Sequence, residues 1–440
     1  MKRFRSRSIA GAVLAVLVCM AAPTANFRSR AGAQERIEAN STEVLQQSAV
    51  AKKKLSLAIQ TRIEQVRDAT SAPAIWAAVY RSENHRPAIE VQGIQHAGAR
   101  KDGSDINIAE DDLVHLGSCT KAMTATMIGQ AISAGKVNWT TTLGEIFGPN
   151  ETHGDSHREA AAVELHEWGT VTIHELLTHR SGAPGNADWS TLHETNPKDV
   201  VAARLSLLAW LCEQKRPSKS RYLYSNVGYA LLGHILEKIE GEPWETLIER
   251  DLFEPLGIKS AGFGPVKAEE PLHAAWGHYA EVTAGGVIGE SLAALLGRKP
   301  KPNWKPVRID NPPPLGPAGR CHMQIGDWAK FVSVYAHLEP DPRLKINAAT
   351  WKQLTNAKDQ KGGQPYAGGW VPFGSREDKG FTLYHNGSNT TWYCVATTRP
   401  HDQRFALVVA NCFSPDIVTS CDSFAEDLVK QKLEAMRVRD

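Results

Sequence analysis

The feature that most limits how this chain can fold is the placement of its strand-like runs, which lie towards its two ends with a helix-patterned middle between them. Near the start, residues 75–80 and 88–92 read as short strands joined by a polar turn with Asn84 and Pro87. Near the end, residues 381–385, 392–398 and 405–410 are strand-like, separated by Asn386-Gly387 and by Arg399-Pro400-His401-Asp402, the pattern of an antiparallel meander. Strand faces need a shared core, so the expected fold class is α+β: one antiparallel sheet built from both ends of the chain, flanked by helices, with an inserted mainly helical region.

The helical pattern supports this. Leu55, Ile59, Ile63 and Val66 recur at helical spacing on a polar segment that ends before Ser71-Ala72-Pro73. From Ser118 onward Met123, Met127, Ile128, Ala131 and Ile132 mark one side of a helix, with Gly135 placed as its C-terminal cap. Further helices are expected over 173–177, 200–210, 227–239 ending at Gly241, and 243–253, and a last amphipathic one carries Phe424, Leu428 and Leu433. Residues 149–166 read as an irregular loop insertion, and the Pro-rich stretch 299–317 as a surface connection. The folded domain is expected over 49–440, its sheet region about 49–117 and 318–440, its helical region about 118–317.

Composition narrows the function. A chain of 440 residues with 42% hydrophobic and 22% charged composition is globular, and its net charge of +2 leaves no bulk field to hold nucleic acid. The first residues depart from this average. Met1 to Arg7 is a cationic leader and Ile9 to Ala22 an uncharged apolar run, the pattern of a secretory signal peptide over 1–33 followed by a linker over 34–48. Ala31-Gly32-Ala33 satisfies the small-x-small rule for cleavage, with a position after Ala25 the alternative. The apolar run is shorter than the ~20 residues of a membrane-spanning helix, so no stable span is expected after cleavage. The expected location is therefore periplasmic or extracellular. There Cys119, Cys212, Cys321, Cys394, Cys412 and Cys421 meet conditions that permit disulfides; their spacing resembles no zinc ribbon, and they are read as buried free thiols with at most one bridge.

Three short motifs carry the chemistry. In Ser118-Cys119-Thr120-Lys121 the spacing puts a hydroxyl and an amine on one helix face, and burial would lower the lysine pKa enough for it to act as a base. In Tyr224-Ser225-Asn226 a phenol can shuttle a proton, and an amide can hold Lys121 and donate to a substrate carbonyl. In His385-Asn386-Gly387-Ser388 a glycine lets substrate approach the strand, and the Ser388 N–H can pair with that of Ser118 as an oxyanion hole. Each motif alone has a plain structural reading, as a chance spacing, a helix cap or a hairpin turn.

In that order, SxxK, YxN and a KTG-like triplet, the chain resembles the β-lactamase-related serine hydrolases, which include class C β-lactamases, D-alanyl-D-alanine carboxypeptidases and penicillin-recognising esterases. Val171–Gly182, Tyr224 through Leu256-Gly257, and Gly316-Pro317-Ala318-Gly319 agree with it. The resemblance implies a five-stranded antiparallel sheet with the site between sheet and helical region. It implies Ser118 as acylated nucleophile, Lys121 as its base, Tyr224 as proton relay, Asn226 as a ligand of substrate and lysine, and Ser118 with Ser388 as oxyanion donors. Substrate contact is expected from Asn226, His385, Gly387 and Ser388, and the substrate is a small molecule or peptide with an amide or ester bond. No cofactor or metal is called for.

Two departures bear on the substrate. His385 stands where β-lactamases have lysine, and Asn389-Thr390-Thr391-Trp392 replaces a glycine-rich continuation. A histidine with an ordinary pKa of ~6.5 would be mostly neutral at pH 7, so carboxylate-bearing substrates should bind poorly and improve as pH falls through that value. Other features are set aside. His153-Gly154-Asp155-Ser156-His157 reads as a solvated loop, His179 as a structural hydrogen-bonding residue, and Cys119 as core packing; Trp392 is the best candidate to line the cleft. No GxSxG elbow occurs, so serine chemistry must come from SxxK.

Overall fold

The computed structural model describes residues 25–90, 93–148, 164–189, 192, 199–217, 221–266, 274–281, 302–357, 360 and 362–431. The cationic leader, the apolar run and the His153–His157 cluster lie outside them, as does Leu433. Compact structure divides between Met1–Lys54 and Leu55–Asp440. Helix α1 (Ala25–Thr70) begins well before the helical spacing noted above, so the segment read as a linker over 34–48 is helical. No helix among the described residues is long and apolar enough to cross a membrane.

Within Leu55–Asp440 the sheet is assembled from both ends of the chain. The strands are β1 (Ala74–Glu83), β2 (Arg86–Ile89), β3 (Gln95–Gly98), β4 (Leu113–His115), β5 (Gly262–Phe263), β6 (Gly277–Glu281), β7 (Asn303–Val307), β8 (Cys321–Gln324), β9 (Val371–Phe373), β10 (Thr382–Ser388), β11 (Tyr393–Arg399) and β12 (Arg404–Ala410). The main sheet has seven strands in the order β2-β1-β12-β11-β10-β9, with β3 also on β1. The expected five-stranded sheet is thus extended by two short strands that share the outer edge of β1, β3 on Ala74–Ala77 and β2 on Tyr80–Glu83. Strand β1 meets β12 antiparallel, Ile75 opposite Ala410 and Arg81 opposite Arg404.

Alternation along β1 explains why the sheet needs cover on both faces. Ala74, Trp76, Ala78 and Tyr80 enter the large core shared with the helical region, whereas Ile75, Ala77 and Val79 join Ile59, Ile63 and Val66 of α1 and Phe424 and Leu428 near the C-terminus. The last helix spans Pro415–Val429. Fully burying one such aliphatic side chain is worth about 1.5–3 kcal/mol, so these two layers commit the sheet to its register.

Between the sheet's two contributions lie helices α2 (Thr120–Ser133), α3 (Ile173–Leu177), α4 (Val200–Cys212) and α5 (Asn226–Glu240). Helix α2 is buried on every side from Thr120 to Gly129, a central helix rather than the one-sided one expected. Helix α5 ends at Gly241, whose φ of +76° suits glycine as a left-handed cap.

Three expectations are corrected. Asn386-Gly387 lies inside β10, not in a turn, and the chain reverses after Ser388 instead. The stretch 299–317 is no surface connection: it contains β7, and Pro314, Leu315, Gly316 and Pro317 are buried. Trp392 is buried at 3% exposure, stacked on Trp76 with ring centroids 6.1 Å apart, so it belongs to the core and not to a cleft wall.

Candidate active site

Strand β4 leads into a tight turn, Gly117–Cys119, from which α2 departs. Ser118 sits at this junction, half-buried, while Lys121 one turn on has no exposed surface. The SxxK spacing brings Lys121 Nζ to 3.2 Å from Ser118 Oγ. The same nitrogen donates to Asn226 Oδ1 at 2.6 Å and to the Ala318 carbonyl at 2.7 Å. Burial drives the Lys121 pKa well below the ordinary lysine value. A neutral amine has two N–H bonds and one lone pair. Asn226 Oδ1 and Ala318 O take the two hydrogens, and the lone pair is left for the Ser118 hydroxyl.

Tyr224 and Asn226 reach the site because α5 begins there. Ser225 caps the helix, its hydroxyl accepting from Gly228 N at 2.9 Å. Asn226 Nδ2 donates to Asn186 Oδ1 at 2.8 Å, which orients the amide so that its oxygen faces Lys121. The preceding loop is held by His179, whose Nδ1 accepts from Ser225 N at 3.0 Å and whose carbonyl accepts from Leu223 N at 2.8 Å, as a structural hydrogen-bonding residue should. Lys121 Nζ lies 4.8 Å from the Tyr224 ring centroid. Burial raises the Tyr224 pKa above the usual phenol range, opposed by a hydrogen bond with Ser118. The phenol is therefore protonated at neutral pH and suited to donate.

The third motif arrives on β10. Glycine is required here by close approach: a Cβ on Gly387 would stand 2.1 Å from Leu116 O and 2.8 Å from Ser118 N, and one on Gly117, at φ +46°, would stand 2.4 Å from Ser388 N. The backbones of Gly117-Ser118 and Gly387-Ser388 thus press together, bringing the N–H groups of Ser118 and Ser388 into one region. Strand β9 pairs with β10 only at Thr382–Tyr384, so beyond Tyr384 that edge of β10 has no strand partner among the described residues.

His385 departs from expectation. It is 4% exposed, and its Nε2 lies 2.8 Å from the Tyr366 hydroxyl. Burial and the neighbouring Lys121 lower its pKa to about 3, so it stays neutral throughout the ordinary pH range. The ordinary pKa expected of His385 is corrected, so a gain in carboxylate affinity is no longer expected near that value. Sequence reasoning also missed Tyr366, Asn186 and the Ala318 carbonyl. Tyr366 lies 4.3 Å, centroid to centroid, from His179 and T-shaped to Tyr224 and Tyr229, the two rings over which the Lys121 amine sits. Only the Gly316–Gly319 stretch carried any signal, and a sequence cannot assign a carbonyl to a lysine. Cys119 packs inward, its thiol 3.7 Å from His385 O and 3.6 Å from that of Cys394. All six described cysteines are free.

A sheet of both chain ends, covered by helices, with SxxK, YxN and a glycine-bearing strand converging on one serine, defines a protein of the β-lactamase and penicillin-binding type. The family model named Beta-lactamase matches residues 61–428, and the chain belongs to that family. It is similar to penicillin-binding protein 4 of Amycolatopsis lactamdurans, 29% identical over 61% of this chain and 65% of that protein. It is also similar to the D-alanyl-D-alanine-carboxypeptidase/endopeptidase AmpH of Escherichia coli, 26% identical over 38% of this chain and 41% of AmpH. In both cases it spans less than two thirds of the relative's length. Among solved structures, a class C beta lactamase from Rhodobacter sphaeroides aligns over 86% of this chain and 99% of that one, with a TM-score of 0.61 at 18% identity, a likeness of fold.

Proposed function

We propose that this chain is an exported serine hydrolase that cleaves amide or ester bonds through a Ser118 acyl-enzyme, with cell-wall peptides ending in D-amino acids, β-lactams and small esters as its substrate class. The observation that carries this reading is the set of oxygens around Lys121 Nζ: Asn226 Oδ1, Ala318 O and Ser118 Oγ all lie within 3.2 Å, so once the amine is neutral its two N–H bonds suit the first two and its lone pair is left for the Ser118 hydroxyl. In acylation the Ser118 oxygen bonds to the substrate carbonyl carbon while its proton passes to Lys121 Nζ. The developing oxyanion is met by the N–H groups of Ser118 and Ser388. As the carbonyl collapses, the bond to the leaving group breaks and Tyr224 gives that group a proton, taking one back from Lys121. Attack by water on the acyl carbon reverses these transfers and frees Ser118.

The D-amino-acid class draws support from the names of the similar penicillin-binding protein and carboxypeptidase, and export from the leader and apolar run. The test is intact-mass measurement of wild type and Ser118→Ala with a penicillin, a chromogenic ester and a D-alanyl peptide. Wild type should gain an acyl adduct on Ser118 that disappears with turnover, and Ser118→Ala should fold but gain none. An adduct that persists on wild type would make the chain a binding module without turnover, and labelling of Ser118→Ala would overturn the nucleophile.

A further inference from the structure

Behind the oxyanion region lies a buried carboxylate that the chemistry above does not use. Asp310 follows β7 in the stretch the sequence suggested was a surface connection, yet its side chain is 1% exposed. Its oxygens reach three segments of the site. Oδ1 lies 2.8 Å from His115 Nε2, and the other ring nitrogen of His115 accepts from Gly117 N at 3.0 Å. That second contact fixes the tautomer: Nδ1 is the acceptor, so Nε2 carries the proton and faces the carboxylate. Oδ1 also accepts from Asn389 Nδ2 at 3.3 Å, and Asn389 Oδ1 in turn accepts from Thr391 N at 3.2 Å and Trp392 N at 3.1 Å. Finally, Oδ1 accepts from Asn311 N at 2.7 Å, and Asn311 Nδ2 donates to Gly319 O at 2.8 Å.

The geometry points to Asp310 as a positioning residue that holds the two halves of the oxyanion hole at a fixed separation. One arm, through His115, sets the turn that presents the Ser118 N–H. A second, through Asn389, sets the reversal that follows Ser388. The third, through Asn311, braces the residue next to Ala318, whose carbonyl takes a hydrogen from Lys121. Arg320, with Nε 3.5 Å from Oδ2, supplies a countercharge. Burial works against ionisation, but His115 and Arg320 outweigh it and hold the Asp310 carboxyl below its usual range, so the hub is charged at neutral pH. A charged acceptor makes the stronger hydrogen bonds, which suits a part whose task is to fix distance.

This inference rests on the reading of Ser118 as nucleophile. Its test compares a chromogenic ester with the matching thionoester, whose larger, weakly accepting sulfur gains little from an oxyanion hole. Wild type should prefer the oxygen ester. In Asp310→Ala, kcat on the oxygen ester should fall by about 10²-fold, the scale of one lost oxyanion donor. KM should stay within about 3-fold, and the oxygen-to-sulfur ratio of kcat/KM should shrink by nearly the factor by which kcat falls, about 10²-fold. A purely structural role would slow both esters alike and leave the ratio unchanged, which would overturn the inference. If Asp310→Ala does not fold, the same ratio in Asn389→Ala decides, since of the three arms only that one reaches the Ser388 half; an unchanged ratio there overturns it too. If wild type forms no Ser118 adduct, the nucleophile reading and this inference fall together, whereas an adduct with an unaltered ratio sinks this inference alone.

Discussion

Gly387→Ala isolates how closely strand and turn must approach. The added methyl would stand 2.1 Å from Leu116 O, where Cβ atoms essentially never come within 3.0 Å of a heavy atom, so the backbones must part by about 1 Å. The obstacle is main chain on both sides, Leu116 O, Ser118 N and Cys119 N, and no side chain can swing away to relieve it. A displacement of that size moves the Ser388 N–H out of line with that of Ser118. Losing one oxyanion donor costs about 10²–10³-fold in kcat, and a 1 Å misplacement alone about 10²-fold. Overpacking at a rigid contact costs about 1–3 kcal/mol of stability. Gly387→Ala should therefore fold, melt at lower temperature, and lose at least about 10²-fold in kcat on a chromogenic ester with a smaller change in KM. A folded variant with kcat within about 3-fold of wild type would refute the role of Ser388 N–H, because the same clash must have been absorbed without harm to the chemistry.

Three further outcomes follow from the two basic groups of the site. Lys121→Met, which keeps the length of the side chain but removes the amine, should lose at least about 10²-fold in kcat/KM, and stranding the buried Ala318 carbonyl should cost about 1–3 kcal/mol, read in a denaturant titration. In wild type only the neutral amine can accept the Ser118 proton, so kcat/KM should be lost as pH falls through the depressed Lys121 pKa and be retained above it; a profile rising only near the ordinary lysine value would show that burial leaves Lys121 charged. For a matched neutral ester and carboxylate-bearing ester, the preference should not change from roughly pH 5.5 to 8.5, because His385, lowered to about 3, does not titrate there. A preference that shifts towards the carboxylate below pH 7 would mean that the imidazole is solvated.

The parts of the fold that were legible in the sequence are those whose ends carry turn or cap residues and whose interiors are apolar. The uninterrupted apolar runs 75–80 and 405–410 mark β1 and β12 because both faces of these strands are buried, each against a different layer. Helix α5 was readable through to Gly241, although its cap is Ser225 and not Asn226. Local turn chemistry misled where tertiary contact overrode it. Asn386-Gly387 has the composition of a hairpin turn, yet the glycine is there because Leu116 O leaves no room for a side chain, so the strand continues through it. Proline-rich composition around 312–317 suggested surface, but these residues wedge between α2 and α5, and a Cβ on Gly233 of α5 would meet Pro317 Cγ at 2.1 Å. Of the site, the side chains with a motif were found. Those acting through a carbonyl, such as Ala318, or from an unremarkable position, such as Tyr366 and Asp310, carry no local pattern.

His385 shows how far residue identity falls short of charge. The third motif of the β-lactamase-related family was expected to place a titrating group beside the substrate, and an imidazole is the side chain most easily tuned across neutral pH. What the structure adds is the surroundings: a ring 4% exposed, its Nε2 against the Tyr366 hydroxyl, with the amine of Lys121 acting on it. Both influences act in one direction, since burial disfavours the imidazolium and a second basic nitrogen disfavours it again. The same burial lowers Lys121. Burial thus lowers both basic groups together, a direction that suits the proton-accepting role proposed for Lys121 and withdraws the histidine from attracting an anion. Within the proposed substrate class, a neutral His385 then leaves shape and neutral hydrogen bonding along the open edge of β10 to discriminate, and the expected ranking places neutral esters above the carboxylate-bearing peptides and β-lactams.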